Sequence, residues 1–132
     1  MPAVSLVATL AAAVAGSVLG SIWYGPLFGR AWRAASRPSS DDVRGDVSPF
    51  RTYGATLVPG LIASYVFGVY LGPDPGRAFA VVVGASVGVF LVATSLATTD
   101  LLARRPVALM VINGGYHAVR FTLIGLVFGL LG

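Results

Sequence analysis

Four long apolar runs divide this sequence: Ala3–Tyr24, Tyr53–Leu71, Ala78–Leu102 and Val107–Leu131. A bilayer-crossing helix needs about 20 mostly apolar residues, and each run meets or nearly meets that length. The pattern predicts one all-α domain, an integral membrane four-helix bundle. The second run is the shortest and contains Pro59, which leaves the carbonyl of Ala55 without its helical partner and predicts a kink. The first run also admits a signal-peptide reading, because Ala13-Val14-Ala15 resembles a cleavage site. No positive charge precedes it, however, and the apolar stretch continues well past that point, which favours a span.

Within the runs, small and polar residues align at helical spacing. The first aligns Ser5, Thr9, Ala13, Gly16 and Gly20 and ends at Trp23. The second aligns Tyr53, Thr56, Gly60 and Ser64, with Gly68 at the margin. The third aligns Ala80, Gly84, Gly88, Ser95, Thr98 and Thr99. The fourth aligns Gly114, Ala118, Gly125 and Gly129, with Ile112, Val119, Leu123, Leu126 and Leu130 as a separate lipid-facing arc. Lipid tails are as apolar as leucine, so membrane helices associate through close backbone approach. These strips predict a compact bundle and a homo-oligomer, although packing alone would explain them.

The connections differ in kind. Gly25-Pro26 predicts a helix end at an interface marked by Trp23 and Tyr24, as in an aromatic belt. From Leu27 to Arg37, Leu27, Phe28, Ala31, Trp32 and Ala35 take one side and Arg30, Arg33 and Arg37 the other. This predicts a short amphipathic helix in the interface, or else a polar loop with chance periodicity. Arg37 to Pro49 reads as a polar loop. Gly72-Pro73-Asp74-Pro75-Gly76 and Ala103-Arg104-Arg105-Pro106 read as tight turns.

Composition agrees with a membrane setting. Hydrophobic residues make up 56% of the chain and charged residues 11%, too few for the surface of a soluble domain. The net charge is +4, and all nine basic residues are arginine. Arg30, Arg33, Arg37, Arg44, Arg51, Arg104 and Arg105 fall in the first and third connections, against Arg77 on the other side. That bias speaks for orientation in a bilayer rather than nucleic-acid binding. It places the Arg-rich connections in the cytoplasm and both termini outside a bacterial inner membrane. No cysteine is present, which removes thiolate chemistry and disulfides, and nothing in the sequence calls for a cofactor.

The fourth run carries the candidate chemistry. Asn113, His117 and Arg120 fall at i, i+4 and i+7 on one arc, with Tyr116 beside them. Arg120 lies about 20 Å into the run at 1.5 Å per residue. A charge at that depth costs several kcal/mol unless paired or hydrated, and marks a functional candidate. The same residues also suit interhelical hydrogen bonding. One His supplies too few ligands for an ordinary metal site. Asp100, the one acid inside a run, is placed to pair with Arg104 four residues on and is a secondary candidate for carrying a proton.

The segments Ile22-Trp23-Tyr24-Gly25-Pro26-Leu27-Phe28-Gly29-Arg30-Ala31-Trp32 and Ile112-Asn113-Gly114-Gly115-Tyr116-His117, the latter shortly after Arg105-Pro106, resemble a small bacterial membrane family, domain of unknown function 1761. The resemblance spans essentially the whole chain. It implies a four-helix membrane fold, with motifs on Trp23 to Pro26 and on Asn113 to His117, and no established activity. Arg120 departs from the family pattern, where a less polar residue is expected.

Three functions compete. A homo-oligomeric transporter or channel-like protein would pass a small solute or ion along Asn113, Tyr116, His117 and Arg120. A membrane-embedded enzyme for a lipophilic substrate would use His117 as acid or base, its ordinary pKa lying near about 6.5. A structural accessory protein would hold no ligand. Trp23 and Tyr24 are secondary candidates for the site. An open path, a blind pocket or a solid core would separate the three.

Overall fold

The structure, a computed structural model, describes residues 5–36, 54–72 and 75–131. The expected polar loop from Arg37 to Pro49, together with Arg51, Tyr53, Pro73 and Asp74, lies outside the described residues, as do the side chains of Arg33 and Ala35. The described chain forms α1 (Leu6–Ile22), α2 (Gly29–Ser36), α3 (Leu57–Leu71), α4 (Arg77–Leu102) and α5 (Val107–Leu131). Three helices are long and apolar enough to cross a membrane: α1 with its continuation to Leu27, α4, and α5. The 15-residue α3 is apolar but shorter. The result is an all-α membrane bundle whose outward face is apolar: Leu6, Leu10, Val14, Ile62, Phe90 and Val111 are all exposed, as lipid contact requires.

Contacts run in a curved row, α3 on α1, α1 on α5 and α5 on α4. Ala8 and Ala12 of α1, Phe67 of α3, and Phe121, Ile124 and Phe128 of α5 form the buried core. Phe67 closes the row, its ring centroid 6.2 Å from Phe121 and 6.0 Å from Phe128.

The small-residue faces are spent inside this one chain. Gly84 of α4 lies against the backbone of Phe121 and Gly125, Gly88 against Ala118, and Gly129 against Arg77. Gly60 of α3 meets Ala13 of α1. Packing within one chain therefore accounts for these glycines.

Several local expectations need correction. Pro59 breaks the helix rather than bending it: Gly54 and Ala55 are helical, Thr56 is a turn, and α3 starts at Leu57. The proline sits in the first turn of α3, where a helix has no use for its missing N–H, and the amide of Gly60 donates to Thr56 at 3.0 Å. Gly25-Pro26 does not end α1. The helix widens into a π segment, Trp23–Leu27, with Pro26 inside it, and the Phe28 amide reaches back to the Trp23 carbonyl at 2.7 Å. A second π segment, Val87–Ala93, interrupts α4. It changes the phase of everything beyond, so Ser95, Thr98 and Thr99 leave the glycine face. All three are exposed and bond to carbonyls one turn back in their own helix. Ile112 is buried rather than lipid-facing, at 7% exposure.

The turn after α4 also redirects an ion pair. Arg104 adopts a left-handed conformation, φ 58°. The amides of Arg104 and Arg105 then close the helix onto the carbonyls of Leu101 and Asp100, the pattern usually built on glycine. Leaving helical register takes Arg104 away from Asp100. Its neighbour Arg105 approaches instead, Nε to Oδ1 at 3.9 Å.

Candidate functional site

The π segment at the end of α1 gives the site its shape. By adding width to the turn, it carries Trp23 and Tyr24 inward against α5, where the sequence suggested an outward aromatic belt. The indole N–H of Trp23 donates to the carbonyl of Ile112 at 2.9 Å, and its ring covers Gly115, where no side chain stands in the way. The Tyr24 hydroxyl donates to Oδ1 of Asn113 at 2.7 Å. Phe28 stacks on Trp23 with centroids 4.7 Å apart, and Trp32 of α2 meets Tyr24 edge-on at 5.7 Å. The amphipathic α2 is thereby tied to the bundle through its aromatic side, with Arg30 exposed.

One turn deeper, the Tyr116 hydroxyl donates to the carbonyl of Gly16 across the α1–α5 contact, at 2.9 Å. It also lies close over Gly20. These bonds fix α5 in rotation, so that His117 and Arg120 emerge on the same side. The two side chains meet at 3.4 Å, Nη1 of Arg120 to Nδ1 of His117. A guanidinium only donates, so a hydrogen bond between them has Nδ1 as its acceptor. The Arg120 side chain runs over Gly16, and its guanidinium carbon stands 5.0 Å from the centroid of Phe121.

Tyr116, His117 and Arg120 line a cavity of about 280 Å³, completed by Ala13, Gly16, Ser17 and Tyr24 of α1 and by Thr56, Pro59 and Gly60 at the start of α3. Thr56 and Pro59 are exposed, so the cavity reaches the surface at that end of the bundle. At the other end the core of Phe67, Phe121, Ile124 and Phe128 stands across the bundle. Ser17 and Thr56 share a hydrogen bond of 3.1 Å at the open end.

Of the residues singled out from sequence, Tyr116, His117, Arg120 and Tyr24 come together around this cavity. Asn113 and Trp23 stand behind it and hold its wall. Asp100 is buried with an exposed Arg105 as its ion-pair partner and does not line the cavity. Ser17 and Pro59 were not singled out as site residues. The i, i+4, i+7 stripe of α5 contains no information about what the facing helices contribute. Arg120 has no carboxylate within ion-pairing distance among the described residues.

The chain belongs to the family described as "Protein of unknown function (DUF1761)", which matches residues 7–129. No curated protein and no solved structure matches it. Trp23, Tyr24 and Tyr116 each hydrogen-bond across the contact between α1 with its continuation and α5, Tyr24 to Asn113.

Proposed function

We propose that this member of the family binds an anionic solute within the membrane and serves its transport. The observation that carries the reading is the guanidinium of Arg120, placed in a cavity inside a span with no carboxylate beside it among the described residues. A charge in that setting is costly unless something neutralises it. An anion entering past Thr56 would do so, and Ser17, Thr56 and the imidazole of His117 offer further polar contacts along the way. Asn113 and Trp23 keep the wall rigid. Because the cavity lies within one chain, a pathway between subunits is not needed. The closed end makes this a one-sided state, and release to the other side requires Phe67 to part from Phe121 and Phe128.

The blind end also favours a second reading, a membrane enzyme with His117 as acid or base and Arg120 as the group that holds an anionic substrate. Uptake into vesicles distinguishes it from transport, since an enzyme would convert substrate without moving it.

Binding is tested first. Butyrate or inorganic phosphate should raise the melting temperature of the detergent-purified protein saturably. Arg120→Gln should weaken that response about tenfold or more, the equivalent of one lost charge-assisted contact. A melting temperature indifferent to both anions would sink the proposal.

The arginine bias of the first and third connections supports access from the cytoplasmic side. In a chain without cysteine, an impermeant thiol reagent applied to intact cells should label Asp74→Cys and spare Ser40→Cys. The reverse pattern would invert the orientation.

A further inference from the structure

A second cavity lies further along α3. It measures about 420 Å³ and is walled by Ala63, Val66, Phe67, Tyr70 and Leu71 of α3, Val83, Val87 and Leu91 of α4, and Phe121 of α5. All but Tyr70 are purely apolar side chains. The two cavities share no lining residue, but they come close at α5: Arg120 lines one, and its guanidinium carbon stands 5.0 Å from the ring centroid of Phe121, which lines the other. They also follow each other along α3, from Thr56–Gly60 to Ala63–Leu71. The rim of the second is open to lipid, with Tyr70 87% exposed, Leu91 62% and Val66 45%.

We propose that the two cavities are the head and tail compartments of one site, and that the ligand is a single-chain amphiphile with an anionic head, such as a long-chain carboxylate. This rests on the anion-binding reading of Arg120 and names the class of anion. Charge complementarity places the head: among the described residues the guanidinium of Arg120 is the one cation lining either cavity, and it stands over the ring of Phe121, which lines the apolar one. The apolar cavity has the size and lining of an ordinary small-ligand site and is a single groove, which accepts one chain rather than two. Its lipid-exposed rim lets the chain enter sideways from the bilayer, so the tail need not pass the polar mouth at Thr56. Phe67 and Phe121, 6.2 Å apart between ring centroids, line the tail compartment and close off the head compartment, so a ligand that fills both must part this aromatic contact.

The test uses delipidated protein in detergent, with palmitate, butyrate and hexadecanol as probes and binding read by native mass spectrometry. Palmitate should bind at one per chain, at least about tenfold tighter than butyrate and than hexadecanol. Val66→Trp and Leu91→Trp narrow the tail compartment from opposite walls at exposed positions, so the fold should survive in at least one of them. Either should weaken palmitate about fivefold or more and leave butyrate unchanged. Equal affinity for palmitate and butyrate, or palmitate binding indifferent to both folded variants, overturns the amphiphile and leaves the anion site standing. Hexadecanol binding as well as palmitate overturns the assignment of the head to Arg120. If Arg120→Gln leaves butyrate and palmitate binding unchanged, the anion reading itself falls and this inference falls with it.

Discussion

Gly84→Ala should destabilise the purified protein by about 3 kcal/mol or more, at or beyond the upper end of ordinary overpacking, and Gly84→Leu should leave no folded protein. A Cβ at Gly84 would fall on the carbonyl oxygen of Phe121, with Cα of Gly125 only 3.3 Å away. Those are backbone atoms, and a backbone cannot turn aside as a side chain can. The contact is reciprocal, because a Cβ at Gly125 would meet the carbonyl of Ala80. Four residues on from Gly84, Gly88 faces Cα of Ala118 and the carbonyl of His117, each 2.8 Å from where its Cβ would stand. Without a hydrophobic force between helices in lipid, this close approach is what joins α4 to α5. The proper control is Gly54→Ala, which meets nothing within 4 Å outside its own chain neighbours and should be no less stable than the parent. Thermal melts of the three variants in one detergent decide the matter. A Gly84→Ala protein that melts with the parent would mean that α4 does not lie where it is described.

The same contact shows what the sequence could reveal. Gly84, Gly88, Gly114, Gly125 and Gly129 fall at spacings that make one face of a helix small, so their role in packing was legible. Their partner was not, since spacing alone does not say whether a small face meets its own chain or a copy. The two π segments were hidden for a different reason. A widened turn leaves composition unchanged and only shifts phase, so residues projected at 3.6 per turn past Val87–Ala93 land on the wrong side. That is why Ser95, Thr98 and Thr99 were grouped with the glycines they do not accompany. The Asp100–Arg104 expectation failed through a similar local event, the left-handed turn at Arg104.

The site was half legible. Tyr116, His117 and Arg120 share an arc of one helix, and the periodicity of that helix is unbroken from Val107 to Leu131. Periodicity therefore placed them correctly relative to one another. What they face depends on the rotation of α1, which is set by Trp23 and Tyr24 after the π turn. Those two residues look like interfacial anchors in the sequence because aromatic residues at a helix end usually are. In the fold they act as hydrogen-bond donors to α5. The apolar tail compartment left no mark at all. Its walls are Ala, Val, Leu and Phe, the residues any lipid-facing helix would carry, and only the gap between α3 and α4 makes them a cavity.

Arg120→Leu should give a protein that melts at the same temperature as the parent or higher, and that no longer responds to anions. The argument is a balance of magnitudes. A charged side chain at the centre of a span costs roughly 2.5–3.5 kcal/mol on insertion scales. Against this, the stacking of Arg120 on Phe121 at 5.0 Å is worth about 0.5–2 kcal/mol. Its bond to His117, at 3.4 Å, is long enough to contribute little. Leucine also restores apolar contact over Gly16, where the Arg120 side chain now lies. Removing the charge is therefore neutral or stabilising unless a partner already compensates it. Such a protein would be a better-folded bundle with an empty site, and its loss of butyrate and palmitate binding would mark Arg120 as retained for a ligand. A clear drop in melting temperature would mean the opposite. The guanidinium would then be a structural tie between α1 and α5, and the anion site would have to be given up along with the amphiphile that depends on it.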